Sequence, residues 1–158
     1  MTLPPDLIDM LSAFAGADLR YLVVGGHAVS LHARPRTTKD LDVWLEPERD
    51  NIENACAALT HFGVPGHLVQ TLRDAHASEI VWIGRAPTRV DFLQTLPGLS
   101  FPEAWERRVT VDIQGTPIYF LGCEDLLINK RKVGRAQDLR DVKAIEKAMA
   151  RAKGRKRS

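Results

Sequence analysis

The stretch YLVVGGHAVSLHARPRTTKDLDVWLEP, residues 21–47, restricts what this chain can fold into more than any other. An apolar run, Leu22-Val23-Val24, enters Gly25-Gly26, and a polar passage through Arg34, Arg36, Thr37 and Thr38 leads to the alternating Asp40-Leu41-Asp42-Val43. The pattern is strand, short helix, strand. In an extended strand, side chains two apart share a face, which puts Asp40 and Asp42 together with α-carbons about 6.5 Å apart. Two such acids repel and are costly to desolvate, and one or two cations between them remove both penalties. A solvated edge strand with alternating acids would need no cation. Asp91, mid-strand in TRVDFLQ between Val90 and Phe92, supplies a third acid on the same kind of element and favours the first reading.

The remaining elements follow from periodicity. Leu7, Ile8, Leu11, Phe14 and Ala15 predict a helix over 5–16 stopped at Gly16, and PERDNIENACAALTHFG predicts an amphipathic helix ending at Gly63. EIVWIG and TRVDFLQ are predicted strands about a turn at Arg85, Ala86 and Pro87, and VTVDIQGTPIYFL a hairpin about Gln114-Gly115. Helices are predicted over about 101–107, 123–133 and 137–151. The fold class is therefore α/β (α+β), a mixed sheet flanked by helices with a small helical C-terminal part. A single domain is expected, with a core over about 1–122, C-terminal helices over 123–151 and a disordered basic tail over 152–158.

Composition narrows the class of function. Hydrophobic residues are 44% and charged residues 27% of the 158, which excludes a disordered chain. No apolar run approaches the roughly 20 residues that span a bilayer, and MTLPPDLIDMLSAF lacks the features of a signal peptide, so a cytoplasmic protein without membrane contact is expected. Cys56 and Cys123 read as buried free thiols. The net charge of +2 hides a division: residues 1–128 carry −7 and residues 129–158 carry +9. Such a pole suits phosphate or nucleic acid, although a solvated basic tail produces part of it.

VVGGHAVSLHARPRTTKDLDVWL with VDFLQ resembles the nucleotidyltransferase-fold superfamily, whose pattern is a hydrophobic residue with Gly-[Gly/Ser], a helix, an acid pair spaced D-h-[DE], and a later h-[DE]-h. DLLINKRKVGRAQDLRDVKAIE is similar to the helix pair of the AbiEii-type toxin nucleotidyltransferases and related minimal bacterial enzymes. The resemblance implies transfer of a nucleoside monophosphate from a nucleoside triphosphate, ATP among them, to a hydroxyl, with pyrophosphate released. It implies two magnesium ions, with manganese as an alternative, held by Asp40, Asp42 and Asp91. Asp91 would also accept the proton of the attacking hydroxyl. Gly25 and Gly26 match the phosphate turn, Lys130 the triphosphate-contacting lysine, and Arg36 a recurring basic position. Partners implied are a tRNA or other RNA acceptor and, for a toxin, a cognate antitoxin protein; a protein or small-molecule hydroxyl is the alternative acceptor, and a nucleotide- or RNA-binding module without turnover the alternative function.

Several residues carry two readings. Glycines at a strand-to-helix junction let backbone N–H groups approach phosphate, and they also serve packing alone. Lys130, Arg131 and Lys132 lie where bases suit a helix C-terminus. Arg135, Asp138 and Asp141 either support the site or cap a helix. His27 follows the glycines with a chemical or a purely structural part. Trp44, Trp82 and Trp105 are expected in the core or at a pocket base, with Trp44 the one able to approach a nucleobase.

Overall fold

The computed structural model describes residues 3–157. Among them are helices α1 (Pro5–Gly16), α2 (Gly25–His32), α3 (Arg49–Phe62), α4 (Gly66–Asp74), α5 (Phe101–Glu106), α6 (Cys123–Val133) and α7 (Ala136–Arg157). The strands are β1 (Tyr21–Val24), β2 (Asp40–Leu45), β3 (Val81–Ile83), β4 (Arg89–Leu93), β5 (Val109–Ile113) and β6 (Thr116–Phe120), in one sheet of order β3-β4-β2-β1-β6-β5. Pairing is mixed: β1 runs antiparallel to β2 and parallel to β6, β2 is parallel to β4, and the edges β3 and β5 are antiparallel to their neighbours. The expected mixed sheet with a helical C-terminal part is what forms.

Alternation in β2 sorts its side chains. Leu41, Val43 and Leu45 are fully buried, and the register puts Val43 beside Val23 and Phe92. α1 covers this face through Phe14, whose ring meets Tyr21 edge-on at 5.7 Å and Phe92 at 6.3 Å. Burying each such side chain contributes about 1.5–3 kcal/mol. Asn51 of α3 ties helix to sheet: its Oδ1 accepts from the Arg20 N–H, and its Nδ2 donates to the carbonyls of Arg20 and Glu46. On the opposite face Trp44 is covered by α5, with the Phe101 ring edge-on at 5.1 Å. Trp44 is thus a core residue and not a base contact. Asp40 and Asp42, nearer the start of the strand, stay partly exposed.

Three expectations need correction. α4 has no counterpart in the sequence reading, because it is short, opens without a side-chain cap and buries only Val69 and Leu72. The basic tail is not disordered over 152–157: α7 runs through Arg157, since Ala, Lys and Arg are strong helix formers and outweigh the single Gly154. Ser158 lies outside the described residues. Trp82 is 59% exposed on the edge strand β3, where the alternation that buries Val81 turns the indole outward. No helix among the described residues is long and apolar enough to cross a membrane.

Candidate active site

The strand-to-helix junction is built for close approach. Gly25 has φ +66°, a conformation that side chains disfavour, and a Cβ there would collide with the Asp42 carboxylate. At Gly26 a Cβ would lie 2.8 Å from Thr38 Oγ1 and 3.2 Å from Arg36 Nη2. Both glycines therefore let the start of α2, with its free N–H groups, sit directly against the acid strand and its basic approach segment. Thr38 fixes that segment by donating to the Asp40 carbonyl at 3.1 Å.

Register brings the three acids together. Asp42 pairs with Asp91 across the parallel β2–β4 ladder, and Asp40 precedes Asp42 by two on the same face. Burial pushes the Asp42 carboxyl up to about 6, reinforced by the charges of Asp91 and Asp40 and opposed by Lys130 and Arg36. At Asp42 burial and the two neighbouring carboxylates outweigh the charges of Lys130 and Arg36. Arg89 serves the other two acids: its Nε donates to Asp91 Oδ1 at 2.9 Å and lies 3.7 Å from Asp40 Oδ1. Among the described residues no group of three or more His, Cys, Asp or Glu side chains is drawn together around a metal position as it stands. A guanidinium occupies the place between two of the acids. The donor set nonetheless fits magnesium: hard carboxylate oxygens on one sheet face, one of them held against its neighbours' repulsion.

Facing the acids across the α2 N-terminus is a buried charge cluster. Lys130 of α6 is 5% exposed; its Nζ donates to Asp138 Oδ1 at 3.1 Å and lies 3.1 Å from Asp141 Oδ2. The second contact is an ion pair without hydrogen-bond alignment, so that oxygen has no hydrogen-bond donor. Arg36 reaches Asp141 at 3.5 Å, and Arg135 donates to Asp138 through its Nε at 2.8 Å and its backbone N–H at 3.1 Å. Burial alone would raise the Asp138 carboxyl, but the hydrogen bonds from Arg135 and Lys130 and their charges hold it below its ordinary value. A cleft of about 210 Å³ lies between cluster and acids, lined by Gly25, Gly26, Arg36, Asp42, Lys130 and Arg135 among others.

The structure therefore places Gly25, Gly26, Arg36, Asp42 and Lys130 around one cleft, with Asp40 and Asp91 beside Asp42 on the sheet. Lys130 is not the exposed helix-end base that the bland reading supposes, whereas Arg131 is exposed and pairs with Glu146 at 2.6 Å. Asp138 and Asp141 both anchor Lys130, and Asp138 also caps the start of α7. His27 is buried, and burial with the Arg36 charge lowers its pKa, keeping the imidazole neutral. Sequence reasoning passed over Arg89, although its spacing of two from Asp91 on one strand puts both on one face. It also passed over Asn129, buried at the cleft and donating to the Pro97 carbonyl at 3.1 Å, for which no local signal exists.

Sheet order, the Gly-Gly turn and the in-register acids define a nucleotidyltransferase fold. The sequence model described as a nucleotidyltransferase of unknown function, DUF6036, matches residues 7–149, and the chain belongs to that family. Among solved structures, a presumptive nucleotidyltransferase from Thermotoga maritima superposes with a TM-score of 0.60 at 13% identity, covering 90% of this chain and 93% of that one. ANT(2″)-Ia in complex with adenylyl-2″-tobramycin gives 0.55 at 18% identity, covering 96% of both chains. An antigenic nucleotidyltransferase-like protein from Paracoccidioides brasiliensis gives 0.50 at 16% identity, covering 90% of this chain and 77% of that one. No curated protein matches the sequence.

Proposed function

We propose that the chain transfers a nucleoside monophosphate from a nucleoside triphosphate to a hydroxyl, releasing pyrophosphate. The observation that carries this reading is the register of Asp42 with Asp91, with Asp40 two residues away and Gly25 closed against Asp42. Asp40, Asp42 and Asp91 would hold two magnesium ions, whose chemistry is to neutralise the phosphate oxygens and acidify the attacking hydroxyl. Backbone N–H groups at Gly25 and Gly26, with Lys130, Arg36 and Arg135, orient the triphosphate in the cleft and take up charge on the departing pyrophosphate. Asp138 and Asp141 position Lys130 for this. Asp91 accepts the proton of the attacking hydroxyl.

The finer reading takes ATP as donor and tRNA as acceptor, in a bacterial toxin–antitoxin or phage-defence setting in the cytoplasm. Its support is α7: Asp138 and Asp141 are buried against Lys130 and Glu146 pairs with Arg131, so the helix offers solvent mainly Arg and Lys. The aminoglycoside product held by ANT(2″)-Ia supports a small-molecule acceptor instead. Purified protein incubated with Mg²⁺, each of four α-³²P-labelled triphosphates and total tRNA separates these readings, with Asp42→Ala as control. Label moving onto tRNA only with intact Asp42 is the expected result; equal labelling by the variant refutes the reaction.

A second reading, a nucleotide-binding module without turnover, is favoured by one contact, the Arg89 guanidinium lying between Asp40 and Asp91 where a cation belongs. On that reading Mg²⁺ does not raise the melting temperature, and Arg89→Ala does not restore a response.

A further inference from the structure

Beyond Asp91 the sheet ends in a feature that triphosphate binding does not use. Register runs from Val24 through Asp42 and Asp91 to Trp82, so four neighbouring strands point these residues to one face. Trp82 sits one strand beyond Asp91, at the sheet edge, with 59% of its surface exposed. The Arg89 guanidinium lies over its ring at 5.3 Å and also touches Asp91. The exposed indole is held by the Arg89 guanidinium and sits one strand beyond Asp91, a proposed metal ligand.

We infer that Trp82 and Arg89 form a stacking platform for the nucleobase of an acceptor nucleotide whose hydroxyl enters at Asp91. The base assigned is the acceptor's because the cleft that would take the triphosphate, lined by Gly25, Gly26, Lys130 and, from the end of β4 onward, Leu93, Leu96 and Pro97, includes neither Trp82 nor Arg89, and Trp82 lies one strand beyond Asp91. Naming it the acceptor rests on the transferase reading above. An indole and a guanidinium are both planar and stack on bases irrespective of sequence. The positive charge of Arg89, with Arg85 on the adjoining turn, favours a phosphodiester-bearing acceptor and opposes a polycationic aminoglycoside.

The test is binding, independent of turnover. A single-stranded RNA tetranucleotide with a free 3′ hydroxyl is titrated into the full chain with Mg²⁺, following indole fluorescence, with Trp82→Phe and Trp82→Ala as variants. Both are surface substitutions and leave Trp44 and Trp105 as internal references. Expected are saturable quenching absent from both variants, near-native RNA affinity for Trp82→Phe by filter binding, and a loss of about 5- to 100-fold for Trp82→Ala. ATP alone leaves Trp82 unquenched, and its affinity is the same in all three proteins. Unchanged RNA affinity in Trp82→Ala overturns the platform; so does quenching of Trp82 by ATP alone, or Trp82-dependent binding of tobramycin and not RNA. RNA binding that depends on Trp82 in a protein that transfers no label upholds the platform and refutes the transferase reading instead.

Discussion

Replacing Lys130 by Met should cost the protein much of its stability as well as its nucleotide chemistry. The Nζ is the shared cation of two nearly inaccessible carboxylates, Asp138 and Asp141. Removing one partner from a buried ionic group costs about 3–5 kcal/mol, because the remaining charge stays desolvated. Here Asp138 keeps Arg135, and Asp141 keeps Arg36 and a hydrogen bond from Gln137 at 2.9 Å, which puts the loss at the low end, about 3 kcal/mol. For a chain of this length that is roughly 6–12 °C in melting temperature. The pH dependence carries a sign. The folded-state pKa of Asp138 is held below the unfolded value, so its contribution is complete above the unfolded carboxylate range near about 4 and vanishes as pH falls through the lower folded value. Wild type and variant should differ most at neutral pH and converge below about pH 4. Urea unfolding followed by circular dichroism across that range measures it. Adding Asp138→Asn and Asp141→Asn to Lys130→Met should recover most of the loss, because the charges then leave together. A deficit under about 1 kcal/mol at pH 7, or one undiminished at low pH, would refute the buried-cluster reasoning.

Three further outcomes are expected. Asp42→Asn relieves repulsion among the acids and should raise the melting temperature in metal-free buffer by a few degrees while abolishing transfer; a destabilised variant in differential scanning fluorimetry contradicts the crowding described. Gly25→Ala and Gly115→Ala both strain a positive φ, at about 1–2 kcal/mol each, yet only Gly25→Ala drives a Cβ into Asp42. Activity should therefore fall at least 100-fold in the first and survive in the second, as steady-state kinetics would show. Gly154→Ala, in open space on α7, should stabilise that helix by about 0.5–1 kcal/mol and increase far-UV ellipticity; no gain would mean that α7 ends before its last turns.

How much the sequence determined depends on the range of the interaction concerned. The shared face of Asp40 and Asp42 is a consequence of strand period, and the strand-to-helix turn at Gly25 of local backbone freedom, so both are legible without a structure. The helices α1, α3, α6 and most of α7 follow from apolar periodicity and stop signals, again over a few residues. What spacing alone does not supply is pairing across the sheet. Asp91 is an acid on a strand until the β2–β4 register sets it against Asp42, and Trp82 passes for a core residue until β3 becomes an edge whose outward face carries it. Lys130 is the sharpest case. By sequence it suits a helix C-terminus in solvent, and only the packing of α6 against α7 buries it between two aspartates eight and eleven residues away. Local chemistry chose which residues could act; desolvation and strand register, which need the whole chain folded, decided which of them meet.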